Sequence, residues 1–179
     1  MEKVKLGGLK QSLELCQFDM TGSSNLSENM VSKISALLAS QKINIELVTY
    51  NLKRNKNQQL TLCISQDTCV KVSKLLGKDG CLPAGWGVHC REHVGVLTVF
   101  PHHSAMKILG LVIASWTSQS IPIYGIATSL STISFITDYH RVDMGIKAIQ
   151  NSFQLPDNHA PIKPELLYYQ SDRVKKRER

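Results

Sequence analysis

Between Ile108 and Thr137 the sequence has no Asp, Glu, Lys, Arg or His, an absence that first raises the question of a membrane span. The dense apolar part, Ile108 to Trp116, falls well short of the roughly 20 residues a helix needs to cross a bilayer. Thr117, Ser118, Gln119, Ser120 and Pro122 follow it at once. The run therefore reads as a buried helix followed by buried strands, with no membrane partner.

Aromatic residues are scarce, at 6%, and no basic stripe is interleaved with them. That removes the stacking platform of a nucleic-acid binder, although the formal charge is +7. The last ten residues alone hold five basic residues (Arg173, Lys175, Lys176, Arg177, Arg179) against Asp172 and Glu178. This is a solvated basic tail, and no nucleic-acid partner is expected. The five cysteines, Cys16, Cys63, Cys69, Cys81 and Cys90, are odd in number and show no framework spacing. No basic, then apolar, then small-residue pattern opens the chain. Free thiols and a cytoplasmic location are expected.

Phosphate-binding glycine loops, a Gly-x-Ser-x-Gly elbow and zinc spacings are all missing. His89, Cys90 and His93 are close in sequence, but on a strand 89 and 93 share a face that 90 leaves. The expectation is no metal, no cofactor and no catalysis. What remains is an ordinary globular composition, 42% apolar and 20% charged.

Period-two and period-3.6 patterns then alternate along the chain. "VKLGGLKQS" reads as a short strand bent at Gly7 and Gly8, and "LELCQFDM" as a second strand. "TGSSN" breaks it, with Asn25 and Glu28 spaced as a capping box. Met30, Ile34, Leu37 and Leu38 fall on one helical face. A strand over 43–50, a basic hairpin tip "NLKRNKNQQ" and the strand "LTLCIS" come next. Asp67 or Thr68 caps a second helix bearing Cys69, Val72 and Leu76, which Gly77 ends. After the loop "GKDGCLPAGWG", "VHCRE" reads as an edge strand and "VGVLTVF" as a new strand. Ile108, Val112 and Trp116 make the next helix face, then "IPIYGIAT" and "STISFIT" are strands. Asp138 caps a last helix carrying Val142, Ile146, Ile149 and Phe153. The prolines of "QLPDNHAPIKP" end regular structure.

Laying Ile43 on Ile121 also lays Met30 on Ile108, Ile34 on Val112 and Leu38 on Trp116, so helix and strand repeat together. The fold class is α+β: two ferredoxin-like (βαββαβ) modules in tandem. The second copy lacks a final strand, which the N-terminal strand, residues 3–10, can supply. The expected domains are 11–93, then 94–155 with that strand, and a proline-containing linker and basic tail over 156–179.

"INIELVT", followed by a hairpin and a helix, resembles an ACT domain. "SQSIPIYGIATSLSTISFITDYHRVDMGIKAIQNSF" resembles the closing regulatory domain of aspartokinases, in which an Ile-x-Ile strand, a Ser/Thr pair and a strand ending in Thr-Asp precede the last helix. The resemblance spans residues 5 to 155 and leaves no room for a kinase domain. It implies a tandem ACT protein that binds an amino-acid effector, dimerises with itself and acts on a partner enzyme. Tandem ACT pairs also take their last strand from before the first domain. The family's ligand loop reads Asp-x-Pro-Gly; here Asp19, Met20, Thr21 and Gly22 match it, with Thr in place of Pro. The implied ligand-binding residues are Asp19, Thr21, Gly22 and Ser23, the strand-opening Asn44, Ile45 and Ile123, and His102, His103 and Ser104 of a second loop that lacks Asp and Gly. In such a site the first turn of the helix would take an α-carboxylate, and Asp19 the α-ammonium. The alternative reading is a ligand-free oligomerisation or protein-interaction module docking on a metabolic enzyme.

Overall fold

A computed structural model of the chain describes residues 3–23, 30–52, 57–78, 81–101 and 105–163. It forms two compact modules: Glu14–Val94, and the residues up to Leu13 together with those from Gly95 onward. Both have the α+β, ACT-like βαββαβ topology.

The first module contains β2 (Leu15–Ser23), α1 (Met30–Ser40), β3 (Leu47–Leu52), β4 (Asn57–Ser65), α2 (Cys69–Leu76) and the start of β5 (Gly87–Pro101). Its strands lie in the order β3-β4-β2-β5, every neighbouring pair antiparallel. The alternation of β2 sends Cys16, Phe18 and Met20 to one face. There they meet Leu60, Leu62 and Ile64 of β4, Met30, Ile34 and Leu38 of α1, and Cys69, Val72 and Leu76 of α2. Burial of each such side chain contributes about 1.5–3 kcal/mol, so this face is what holds the helices on the sheet.

The second module contains β1 (Val4–Gln11), β5 from Gly95, α3 (Ala105–Ser118), β6 (Gly125–Thr128), β7 (Ile133–Asp138), α4 (Val142–Ser152) and β8 (Phe153–Gln154). Its order is β6-β7-β5-β1-β8. The N-terminal strand β1 runs antiparallel to β5, in the place that a fourth strand occupies in the first module. The two-residue β8 then adds in parallel at the edge, with Val4 opposite Phe153. Leu6 and Leu9 both enter the core, although residues three apart on a regular strand point to opposite faces. The register shift between Leu6 and Gly8 resolves this. One extra residue, Gly7, is absorbed as a bulge, and it packs so closely that an added Cβ would lie 3.2 Å from the Phe100 carbonyl oxygen.

The expected helix faces are present: Met30, Ile34 and Leu38 of α1, and Ile108, Val112 and Trp116 of α3, are all fully buried. Both helices end in the same way. Lys42 and Ser120 are left-handed (φ 55° and 54°). The N–H of Ile43 donates to Leu38 O and that of Lys42 to Ala39 O; Ile121 and Ser120 repeat these bonds to Trp116 O and Thr117 O. This is a Schellman motif written twice, with Ile43 and Ile121 as its apolar contacts.

Six local expectations are corrected. The strand expected from Ile121 begins at Gly125, and Phe153, expected on the last helix, opens β8. The strand expected from residue 43 begins at Leu47, because Ile43 and Ile45 turn into the core after the helix stop instead of pairing in the sheet. "VHCRE" and "VGVLTVF" are one strand, β5, which bulges at left-handed His93 (φ 56°). Neither Asp67 nor Thr68 caps α2: a 3₁₀ turn, Gln66–Thr68, leads into the helix, and Thr68 Oγ1 donates to Ser65 O. Asp138 likewise precedes a 3₁₀ turn, Tyr139–Arg141, and makes no cap bond to it; its carboxylate accepts from Tyr124 Oη at 2.8 Å. The capping box Asn25–Glu28 and the basic tail lie outside the described residues. Among the described residues no helix is long and apolar enough to cross a membrane.

Candidate functional site

The residues read as a ligand loop, Asp19 to Gly22, belong to β2, which runs on to Ser23. This is a correction to the loop expectation, and it follows from the register. β4 pairs residue for residue with β2 from Leu15–Ser65 to Ser23–Asn57, so the ladder holds residues 19–23 extended. On β2, Asp19, Thr21 and Ser23 point away from the helices. Asp19 lies opposite Thr61 on one side and His89 on the other; Thr21 lies opposite Gln59 and Gly87.

Asp19 is half-buried and already engaged. Oδ1 accepts from Thr61 Oγ1 at 2.6 Å and Oδ2 from Gln17 Nε2 at 2.8 Å. Gln17 itself is 1% exposed. Asp19 therefore anchors a buried polar row in the body of the sheet, where its charge also pushes the neighbouring Cys63 thiol, raised chiefly by burial, up to about 12.

The open end of the same strands forms a cleft of about 390 Å³, lined by Thr21, Gly22, Ser23, Asn57, Gln58, Gln59, Gly85 and Gly87. Among the described residues its side chains are hydroxyls and carboxamides, with no charged group. Three glycines offer backbone that a ligand can approach closely. Gly22 has a second, structural reason to lack a side chain. An added Cβ would stand 2.4–2.6 Å from the ring carbons of Trp86, whose indole covers it. The Trp86 Nε1 is buried and meets no hydrogen-bond partner among the described residues.

Of the residues the sequence singled out, the structure gathers Thr21, Gly22 and Ser23 in this cleft. Asn44 is exposed, and its Nδ2 donates to Glu46 Oε1 at 2.9 Å. Ile45 and Ile123 pack on the cores of their own modules. His102, His103 and Ser104 fall outside the described residues, as does the segment 24–29 that leads from the cleft into α1. Asn57, Gln58 and Gln59 were missed because "NKNQQ" reads as a hairpin tip. The signal was topological: in a βαββ order the third strand starts beside the end of the first. Among the described residues no group of three or more His, Cys, Asp or Glu is placed to hold a metal ion.

No family model and no curated protein matches the sequence. Solved structures do match the fold. The regulatory subunit of aspartate kinase from Thermus thermophilus, ligand-free, aligns with TM-score 0.69 at 17% identity, over 83% of this chain and 99% of that one. Its counterpart from Thermus flavus gives 0.71 at 17%, over 84% and 99%. E. coli aspartokinase III in complex with lysine and aspartate gives 0.54 at 13%, over 86% of this chain and 34% of that one. At such identities the likeness is one of fold. It takes in nearly the whole of the two regulatory subunits.

Proposed function

We propose that the chain is a non-catalytic regulatory protein that binds an amino acid in the cleft at the end of β2 and acts on a partner enzyme. The observation that carries the reading is the cleft itself. A neutral wall of Thr21, Ser23, Asn57 and Gln59, with backbone opened by Gly85 and Gly87, can hydrogen-bond both ends of a zwitterion without favouring either charge. Its volume lies in the range of small-molecule sites. Support comes from the fold, shared with aspartate kinase regulatory subunits and with an aspartokinase solved with lysine and aspartate bound. For such a ligand to regulate anything, its affinity must differ between two arrangements of the protein.

The test is thermal unfolding of the protein against each of the twenty amino acids. A ligand at a hundred times its dissociation constant stabilises the native state by about 2.7 kcal/mol. A raised midpoint with one or two amino acids, lost in Thr21→Val and Ser23→Ala, supports the reading. No shift with any of them removes it.

One observation favours the interaction-module reading as the second choice. Val48, Tyr50 and Leu52 are 46–48% exposed in a row on β3, the edge strand of the first module. Apolar, unpaired edges are sites of strand addition, which suits a homodimer. A monomer by light scattering at micromolar concentration would end the homodimer.

A further inference from the structure

Three thiols meet inside the first module, away from the cleft. Cys69, the first residue of α2, places its Sγ 3.6 Å from the Sγ of Cys90 on β5. Cys16 on β2 lies in the same core cluster as Cys69. The three differ in access: Cys16 and Cys69 are 0% and 1% exposed, whereas Cys90 is only half-buried.

We propose that Cys69 and Cys90 are an oxidative modification site, a dithiol that closes to an intramolecular disulfide when it meets an oxidant of the peroxide class. Two sulfurs in contact at 3.6 Å need to approach by about 1.6 Å to reach the ~2.05 Å bond. Cys90 is the point of attack because it alone of the three is reachable. Burial pushes its thiol up to about 11, and the hydrogen bond from Ser73 acts the other way, in favour of the thiolate. The site is therefore a slow one, answering sustained oxidation rather than a brief pulse.

The chemistry closes on itself. The Cys90 sulfur, having lost its proton, attacks one peroxide oxygen. An S–O bond forms, the O–O bond breaks, and the departing oxygen takes up the proton to leave as water. Cys69 then gives up its proton and its sulfur attacks the oxidised Cys90 sulfur. The S–S bond forms, the S–O bond breaks, and the hydroxide leaves with that proton as a second water. Each sulfur is oxidised by one electron, and hydrogen peroxide is reduced by two. The product ties the first turn of α2 to β5 across 21 residues of sequence.

The experiment uses the whole chain, fully reduced and freed of reductant. It is treated with hydrogen peroxide, unfolded, and alkylated with N-ethylmaleimide for intact mass measurement. The expected result is the loss of two of the five alkylatable thiols, reversed by dithiothreitol. Cys81→Ser should lose two in the same way, whereas Cys90→Ser should lose none and Cys69→Ala at most one, the Cys90 thiol held as its sulfenic acid. Cys90 is half-buried, so its serine variant remains decisive if Cys69→Ala fails to fold. Retention of all five thiols, an equal loss in Cys90→Ser, or a bond between two chains overturns the proposal.

Discussion

Trp116 donates its indole N–H to the Gly145 carbonyl oxygen at 3.2 Å, and its ring lies where a side chain on residue 145 would stand. α3 and α4 meet through this pair. Trp116 is fully buried and packs its other side on Phe135, with ring centroids 5.3 Å apart. An added Cβ at residue 145 would lie 2.7–2.9 Å from two indole carbons.

Gly145→Ala therefore sets two effects against each other. Helix propensity favours Ala by about 1 kcal/mol, while overpacking a ring that cannot move costs about 1–3 kcal/mol. Because Trp116 is held on both sides, the clash wins. Urea denaturation should show a net loss, of up to about 2 kcal/mol. A stabilised Gly145→Ala protein would mean that the helices part easily.

The paired helix stops make the opposite prediction. Lys42 and Ser120 hold left-handed backbone that L-residues adopt at a cost of about 1–2 kcal/mol. Glycine removes that strain and loses part of the gain to unfolded-chain entropy. Lys42→Gly and Ser120→Gly should each raise stability by about 0.5–1 kcal/mol. A double variant should add the two gains, since they lie in different modules.

These two features separate what the sequence displayed from what it hid. The apolar faces of α1 and α3 were plain in the spacing of Met30, Ile34, Leu38 and of Ile108, Val112, Trp116, since a helix buried on one side must repeat every 3.6 residues. The place for an N-terminal strand was equally plain from the missing partner. Gly145 was not: a glycine inside an apolar period carries no mark of the Trp it admits from another helix. Gly22 suggested a ligand's approach, and nothing in the sequence signalled that Trp86 also needs the space. His93 hid a bulge because its left-handed turn is not written with glycine. Ile43 and Ile45 imitated a strand, since alternation looks alike whether residues pair in a ladder or dip into a core.

Stability should fall at alkaline pH through the thiols. Burial raises Cys16, Cys63 and Cys90 above the ordinary value of 9.0. A raised folded value means the unfolded chain ionises first. The stabilisation is complete below pH 9 and is lost as pH climbs from there towards the folded values, about 11 for Cys90 and about 12 for Cys63. A buried thiol such as Cys63 costs up to about 1.4 kcal/mol for each pH unit in that window. Urea midpoints at pH 7, 8, 9 and 10 should be level and then decline, and Cys63→Val should decline less steeply than the wild type. A flat profile to pH 10 would rule out buried, protonated thiols.

Asp19 and Thr21 lie two residues apart on one face of β2, and they should fail in different ways. Asp19→Ala leaves the Gln17 carboxamide, 1% exposed, and the Thr61 hydroxyl without their acceptor. An orphaned buried donor costs about 1–3 kcal/mol, so the midpoint should drop with no amino acid present. Thr21 is exposed and lines the cleft, so Thr21→Val should keep the unliganded midpoint within about 0.5 kcal/mol and lose the shift that an effector produces. Comparing each variant with and without effector separates framework from site. Should Thr21→Val retain the full effector shift, the bound amino acid lies elsewhere than this cleft. Should Asp19→Ala keep the wild-type midpoint and lose only the shift, Asp19 is a ligand contact, and the hydrogen bonds it makes to Gln17 and Thr61 contribute little to folding.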